Sequence, residues 1–461
     1  MILCIDCGLT NGKALLLDKT GNCHAQVSFS TPLEDCLIDT HALRVALYQA
    51  LHTMDLSKVI AINVSGHGNG IYAIGEKDVL PVGYSSMVNA SAGYVQNTFS
   101  ITAQSDWAGQ PLPILAWLKD TQPEIYNSIR TVLFCKDLLR WFLTGSATTE
   151  LTDASAAGLL NARTGKYDPA LLALYGLSDL ETKLPPLLKS DAVGGLVSQE
   201  AARLTGLPQG VPVYGGLFDV NSCMLGSGVI APGTYSLIAG TWGINACACK
   251  ELVESTAITQ CSRFFGTAGF VCIDCAPTSC SNLEWFSQKI LGNMPYSQVN
   301  EFVAQASADE ELLYLPYIYA PMDLPNAKGG FSGIKPHHGV GDLLRAVFEG
   351  IVFEHKYRLE KLISAGCHGD CAILSGGGAA SEIMCQMFAD VCGIPFRACK
   401  QTEAGALGGA ILALNAQGVY PSLEEAVRAL VHYRSEYTPN PTTKDYYEKK
   451  YAKFLLLRDS G

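Results

Sequence analysis

Two carboxylates and two glycine-threonine turns hold the chemistry that this chain could perform. Asp219 stands in Gly215-Gly216-Leu217-Phe218-Asp219-Val220, directly after a glycine turn and among apolar neighbours. An acid so placed in a cleft can take a proton from a hydroxyl that attacks a phosphoryl group. It can equally cap a helix beginning near Val220, and the two roles are compatible. Asp6 closes an apolar run and faces the turn Gly8-Leu9-Thr10-Asn11-Gly12-Lys13. That position suits a ligand of hydrated Mg2+ beside phosphates, or an acceptor for the N–H groups of its own turn. Lys13 could neutralise phosphate charge, although an exposed strand lysine is the commoner meaning.

The second turn is Ala239-Gly240-Thr241-Trp242-Gly243, and Gly8 and Gly240 stand half a chain apart in 461 residues. Small residues let backbone N–H groups close on anionic oxygens, and Thr10, Asn11 and Thr241 add side-chain donors. Either turn alone is an ordinary hairpin. The repetition is what points to two jaws on one phosphate chain. Neither is a Walker loop, and no dinucleotide fingerprint occurs.

Two glycine-rich segments complete a nucleotide site: Ser375-Gly376-Gly377-Gly378 with Ser381 beyond it, and Glu403-Ala404-Gly405-Ala406-Leu407-Gly408-Gly409. Gly377, Gly378, Ser381 and Gly405 are expected against adenine and ribose, since glycine lets a flat ligand, or another backbone, approach closely. A third cluster, Ser65-Gly66-His67-Gly68-Asn69-Gly70, follows an apolar strand at the edge where α/β sheets hold ligands. His67 and Gly68 read there as a substrate loop or as a plain turn.

These groups need a frame. Ile2 to Ile5, Ala14 to Leu17 and Gln26 to Phe29 read as an antiparallel meander. Leu43, Leu47, Leu51 and Met54 then recur at helical spacing after Asp39, and Val59 to Val64 reads as a buried strand. Helices are expected between Pro111 and Leu143, ending at Thr144-Gly145. The opening pattern returns at Thr234 to Ala239 and Ile244 to Ala248. With Pro232-Gly233 as the linker, the expected domains are 1–231 and 232–461.

The length favours two domains. At 48% hydrophobic and 16% charged residues the chain is well packed rather than disordered. A net charge of −11 argues against nucleic acid or an anionic membrane held by bulk electrostatics, so any anion must be gripped locally. No apolar run approaches a membrane span, and no basic-apolar-cleavable leader follows Met1, so a cytoplasmic location is expected. The 17 cysteines then read as reduced core residues. Cys272, Cys275 and Cys280 are close in sequence but lack a second pair at zinc-finger spacing, and read as small buried side chains.

The chain resembles the FGGY carbohydrate kinases of the actin-like ATPase superfamily. Gly329, Phe331, Gly333 and Ile334, then Asp342-Leu343 and Ala346-Val347-Phe348-Glu349, meet every class of that family's second signature. The resemblance implies an α/β fold of two actin-like (ribonuclease H-like) domains with a catalytic cleft between them. It implies ATP and Mg2+, Asp219 as catalytic base, the two turns as phosphate hairpins, and Lys136-Asp137-Leu138-Leu139-Arg140 as a domain helix. The stretches around Asp219 and Trp242, and from Ala276 to Phe286, look most like the L-xylulose-type members. A ketopentose, L-xylulose first, would then lie near His67, Gly68, Asp219 and Ser279. D-xylulose, L-ribulose, glycerol and gluconate are the alternative acceptors, a sugar- or nucleotide-binding protein without turnover is the alternative class, and a homodimer is compatible with the resemblance. Ser86-Met87-Val88-Asn89-Ala90 departs from the family, which commonly has an Asp-x-Arg-type motif there, and Ile114 replaces a usual Lys.

Overall fold

The computed structural model describes residues 1–266, 269–321, 323–401 and 403–460. In the first half, β1 (Ile2–Cys7), β2 (Asn11–Leu17) and β3 (Cys23–Ser30) form the expected meander. Helix α1 (Thr40–His52) follows, its start fixed by the Asp39 carboxylate, which accepts from the N–H groups of His41 and Ala42. Strand β4 (Ala61–Gly66) then runs parallel to β1. Both are covered on each face, which is why they read as nearly unbroken apolar runs.

Farther along lie α2 (Cys135–Thr144), which Gly145 ends with a left-handed cap, and α3 (Leu151–Ala156). After them come β5 (Val193–Leu196), β6 (Pro212–Tyr214), β7 (Leu217–Phe218) and α4 (Asp219–Gly226). The sheet order is β5-β6-β4-β1-β2-β3, with β7 also paired to β4. Gly216 makes the step from β6 to β7 feasible. Its φ is +82°, and a Cβ there would lie 2.1 Å from the Val64 carbonyl oxygen.

The second half contains β8 (Gly233–Ala239), β9 (Gly243–Cys249), β10 (Gln260–Arg263), β11 (Phe270–Ala276), α5 (Cys280–Lys289), α6 (Tyr296–Gln305) and α7 (Val340–Ser364). Next are β12 (Gly369–Ser375), α8 (Glu382–Cys392), β13 (Phe396–Cys399), α9 (Ala404–Ala416) and β14 (Tyr433–Tyr437). Its sheet order is β10-β11-β9-β8-β12-β13-β14. Each half thus contains an antiparallel meander whose first strand is followed, on its other side, by two successive parallel strands: β3-β2-β1-β4-β6 corresponds to β11-β9-β8-β12-β13. The repeated turns belong to a repeated fold.

Helix α9 returns to the first sheet and packs on α4, β1 and β4. Its small residues bring two backbones together. A Cβ on Gly408 would lie 1.9 Å from the Ser222 oxygen, one on Gly226 would lie 1.8 Å from the Ala404 oxygen, and Ser222 Oγ donates to the Gly405 carbonyl at 2.8 Å. The first half reciprocates through residues 103–105, which pair with the second half: Cys261 N–H donates to Ala103 O and Ser105 N–H to Thr259 O. Among the described residues, no helix is long and apolar enough to cross a membrane.

Gly408→Ala should force α9 off α4 and lower stability by about 1–3 kcal/mol or more, since backbone cannot yield as a side chain can. Gly409→Ala meets only the end of the Asn63 side chain and should cost less; denaturant midpoints of the two variants check the ranking.

Candidate active site

Strand β4 aligns the two carboxylates. Ser65 is the register partner of both Asp6 on β1 and Leu217 on β7, so the flanking strands end side by side. Asp6 is near the carboxyl end of one, and Asp219 is the first residue after the other. Asp219 Oδ1 accepts the Val220 N–H at 2.7 Å, and the Gly68 N–H also favours its charged form. Asp6 Oδ1 accepts from Ser65 Oγ at 2.8 Å, while its Oδ2 faces Gly405, where a Cβ would stand 2.9 Å away.

Burial raises the pKa of Asp219 to about 7, with the charge of Asp6 adding to the shift and the two N–H donors opposing it. Asp6 is raised as well, first by burial, with Ser65 opposing and Glu403 adding. The charge of Lys13 also opposes the shift of Asp6, while its ammonium bonds Glu403 Oε1 at 2.7 Å. The site therefore has an excess of negative charge, and the oxygen-rich donor set and charge of Asp6 fit a hard divalent cation such as Mg2+.

Both turns are formed as hairpins. Gly8 N–H donates to Asn11 O at 3.0 Å, leaving Thr10 and Asn11 exposed with their side chains 3.4 Å apart. Gly240 N–H donates to Trp242 O, and Gly240 O accepts from Cys280 N–H at the start of α5, leaving Thr241 exposed. The glycine loop after β12 lies against this second turn. Gly376, at φ +83°, would place a Cβ 2.8 Å from Ala239 O. Gly377 has open space where a side chain would be, and Gly378 packs on Ala239 and Met384. Ser381 caps α8 through the Met384 N–H and also bonds Asn300. Gly405, on α9, packs against Asp6 of the first half.

His67 is buried, with Nε2 2.9 Å from Tyr72 Oη; Nδ1 meets only the Gly68 main chain. Burial lowers its pKa to about 4, so it is neutral. Gly68 lies under the Phe218 ring, where a Cβ would stand 2.3 Å from it. Ser279 is in the second half, bonded through Oγ to His355 Nε2 at 2.9 Å. The Ser86–Asn89 segment lines a cavity of about 710 Å3, with Trp107 on its own side and Trp242 and Asp274 across from it. Val88 is buried at that wall, whereas Met87 and Asn89 are exposed.

One group escapes the sequence reading, which places Lys136 on a helix but not its partners Glu150 and Asp153 from a later segment. Fully buried Lys136 Nζ lies 2.7 Å from Asp137, 3.4 Å from Asp153 and 3.8 Å from Glu150. Burial alone would lower its pKa; the carboxylates outweigh that and raise it. Glu150 accepts from the Thr152 hydroxyl, and Thr152 Oγ1 accepts the Phe218 N–H at 3.0 Å. A buried charge thereby fixes the residue before Asp219.

The family models for the N- and C-terminal domains of the FGGY carbohydrate kinases match residues 1–226 and 284–416. The chain belongs to the FGGY family of carbohydrate kinases. It is similar to the L-xylulose/3-keto-L-gulonate kinase of Escherichia coli (strain K12), at 31% identity over 87% of this chain and 82% of that protein. It is 30% identical to a Haemophilus influenzae protein named "Probable L-xylulose kinase", over 98% of this chain and 97% of that one. Among solved structures, ligand-bound xylulose kinase from Lactobacillus acidophilus superposes with a TM-score of 0.90 at 22% identity, covering 100% of this chain and 98% of that one. The FGGY kinase is an ATP-dependent sugar kinase with the α/β actin-like fold, acting on a small-molecule sugar. Its second signature builds the frame of the second half. Gly333 takes a positive φ, Asp342 accepts from Gly339 N–H at the start of α7, and buried Glu349 bonds Lys450 at 2.6 Å.

Replacing Lys136 by Met leaves buried Asp153 without its cation, while Asp137 keeps Arg140 and Glu150 keeps its hydroxyl and N–H donors; the loss should cost about 3–5 kcal/mol, read as a fall in the thermal or denaturant midpoint.

Proposed function

We propose that this kinase transfers the γ-phosphoryl group of ATP to a hydroxyl of a ketopentose, L-xylulose first, with Asp219 as general base. The observation that supports the reading most directly is the register that brings Asp6 and Asp219 to the ends of the two strands flanking β4, beside the first hairpin. A carboxyl raised to about 7 is matched to a proton acceptor working near neutrality. Asp219 takes the hydroxyl proton as the sugar oxygen bonds to the γ-phosphorus and the bond to ADP breaks. Backbone N–H groups and hydroxyls at Thr10, Asn11, Gly240 and Thr241 hold the phosphates. Gly377 and Gly378 offer a flat wall to adenosine, with Ser381 holding that wall in place by capping α8. Bound near Asp6, Mg2+ would supply neutralisation of phosphate charge. Lys13 stays on Glu403 and steadies the first hairpin rather than reaching phosphate.

The acceptor reading rests on the names of the two L-xylulose-type relatives and on an uncharged wall at Val88. His67 and Gly68 line the base of the sugar site, and Ser279 acts at one remove, through the second hairpin that its helix supports. D-xylulose, L-ribulose, glycerol and gluconate remain the comparison acceptors, and we place the reaction in the cytoplasm.

Asp219→Asn should retain ATP binding by calorimetry while turnover falls by at least about a hundredfold, the lower range for losing a positioned base; an active variant contradicts the assignment. In wild-type enzyme the base works unprotonated, so kcat/KM should decline as pH falls below about 7. In a coupled ADP assay across the five acceptors, L-xylulose should give the highest kcat/KM; a higher value for another identifies that one instead.

A further inference from the structure

Cys272, Cys275 and Cys280 look like neighbours in sequence, but the fold separates them. Cys275 contacts Thr259 and Cys280 donates to Ala239 O. Cys272 instead joins cysteines from distant segments. The strand register sets it opposite Cys247 of β9 on one side and Cys261 of β10 on the other. Side chains alternate along a strand, so Cys249 shares the face of Cys247. Cys367 arrives from the turn between α7 and β12 and completes a group whose sulfurs all lie within 4.8 Å of one another: Cys249, Cys272 and Cys367. Cys249 Sγ stands 3.6 Å from Cys272 Sγ and 3.6 Å from Cys367 Sγ.

That spacing suits coordination. Zinc–sulfur bonds of about 2.3 Å set tetrahedral ligands about 3.8 Å apart, whereas a disulfide needs about 2.05 Å. Cys247 is the register partner of Cys272 and lies beside these three, outside the group whose sulfurs are mutually within 4.8 Å. The group is also reachable: Cys249 is half-buried, and the chain neighbours Lys250 and His368 are exposed. Isolated core cysteines act as small apolar side chains, but here the thiols face one another across the strand register.

We propose that Cys249, Cys272 and Cys367, with Cys247 beside them, bind one thiophilic d10 cation of the zinc class, remote from the phosphate hairpins in role and independent of the kinase reaction. Binding releases thiol protons to solvent and leaves thiolates on the metal; no oxidant takes part.

The test uses the full-length, reduced, chelator-stripped protein titrated with Cd2+ alone. The thiolate-to-cadmium charge-transfer absorption should rise to a plateau at one equivalent, with proton release. Cys367→Ala should weaken binding more than about tenfold, the lower end of what even an outer-shell change costs a metal site. Cys275→Ala, outside the group, should bind as wild type does. Cadmium NMR of the wild-type protein, which needs no variant to fold, should give a resonance in the thiolate-rich region. No saturable absorption, a resonance typical of oxygen ligands, or undiminished binding by a folded Cys367→Ala protein overturns the proposal.

Discussion

Two like charges confined at the ends of two strands that flank the same central strand set the terms for the whole cleft. Asp6 and Asp219 are brought together by the shared pairing of β1 and β7 with β4, and no side-chain choice can move them apart without breaking that register. Burial raises the pKa of both, and the charge of Asp6 adds to the cost of ionising Asp219. Asp6, held by Ser65 beside the first hairpin, suits a cation, and Asp219, held by the Val220 and Gly68 N–H groups, suits a proton acceptor. One shared constraint thus separates two roles for chemically identical groups.

The remaining parts hold that pair steady. The α4 helix that begins with Asp219 is clasped by α9 through backbone contacts, so the second half of the chain reaches directly under the first hairpin. Glu403, just before α9, takes up Lys13, and Gly405 within it leaves room for the Asp6 carboxylate. From the other side, Thr152 fixes the Phe218 N–H and is itself held by Glu150 and the charge of Lys136. These are positional supports. They explain why so much of this site's polar inventory is buried away from the cleft.

What could be read in the sequence was local. A glycine-threonine turn between apolar runs, an Asp at a helix start and a Gly at a helix end each act within a few residues, and the hairpins, the Asp39 and Ser381 caps and the Gly145 stop appear as expected. The duplication followed from seeing the same local pattern twice. What stayed hidden depends on pairing at long range. Lys13 and its partner Glu403 are 390 residues apart, and only the return of α9 to the first sheet reveals that Gly405 lies against the Asp6 carboxylate. Likewise, the cysteines adjacent in sequence diverge while those opposed in the sheet converge.

The electrostatic account is tested most directly by a carbon NMR titration of the Asp219 side-chain carboxyl in the nucleotide-free enzyme, its resonance identified by loss in Asp219→Asn. A midpoint near 7 is predicted. A midpoint near the ordinary aspartate value of about 4 would contradict the claim that burial beside Asp6 makes this residue a base matched to neutral pH.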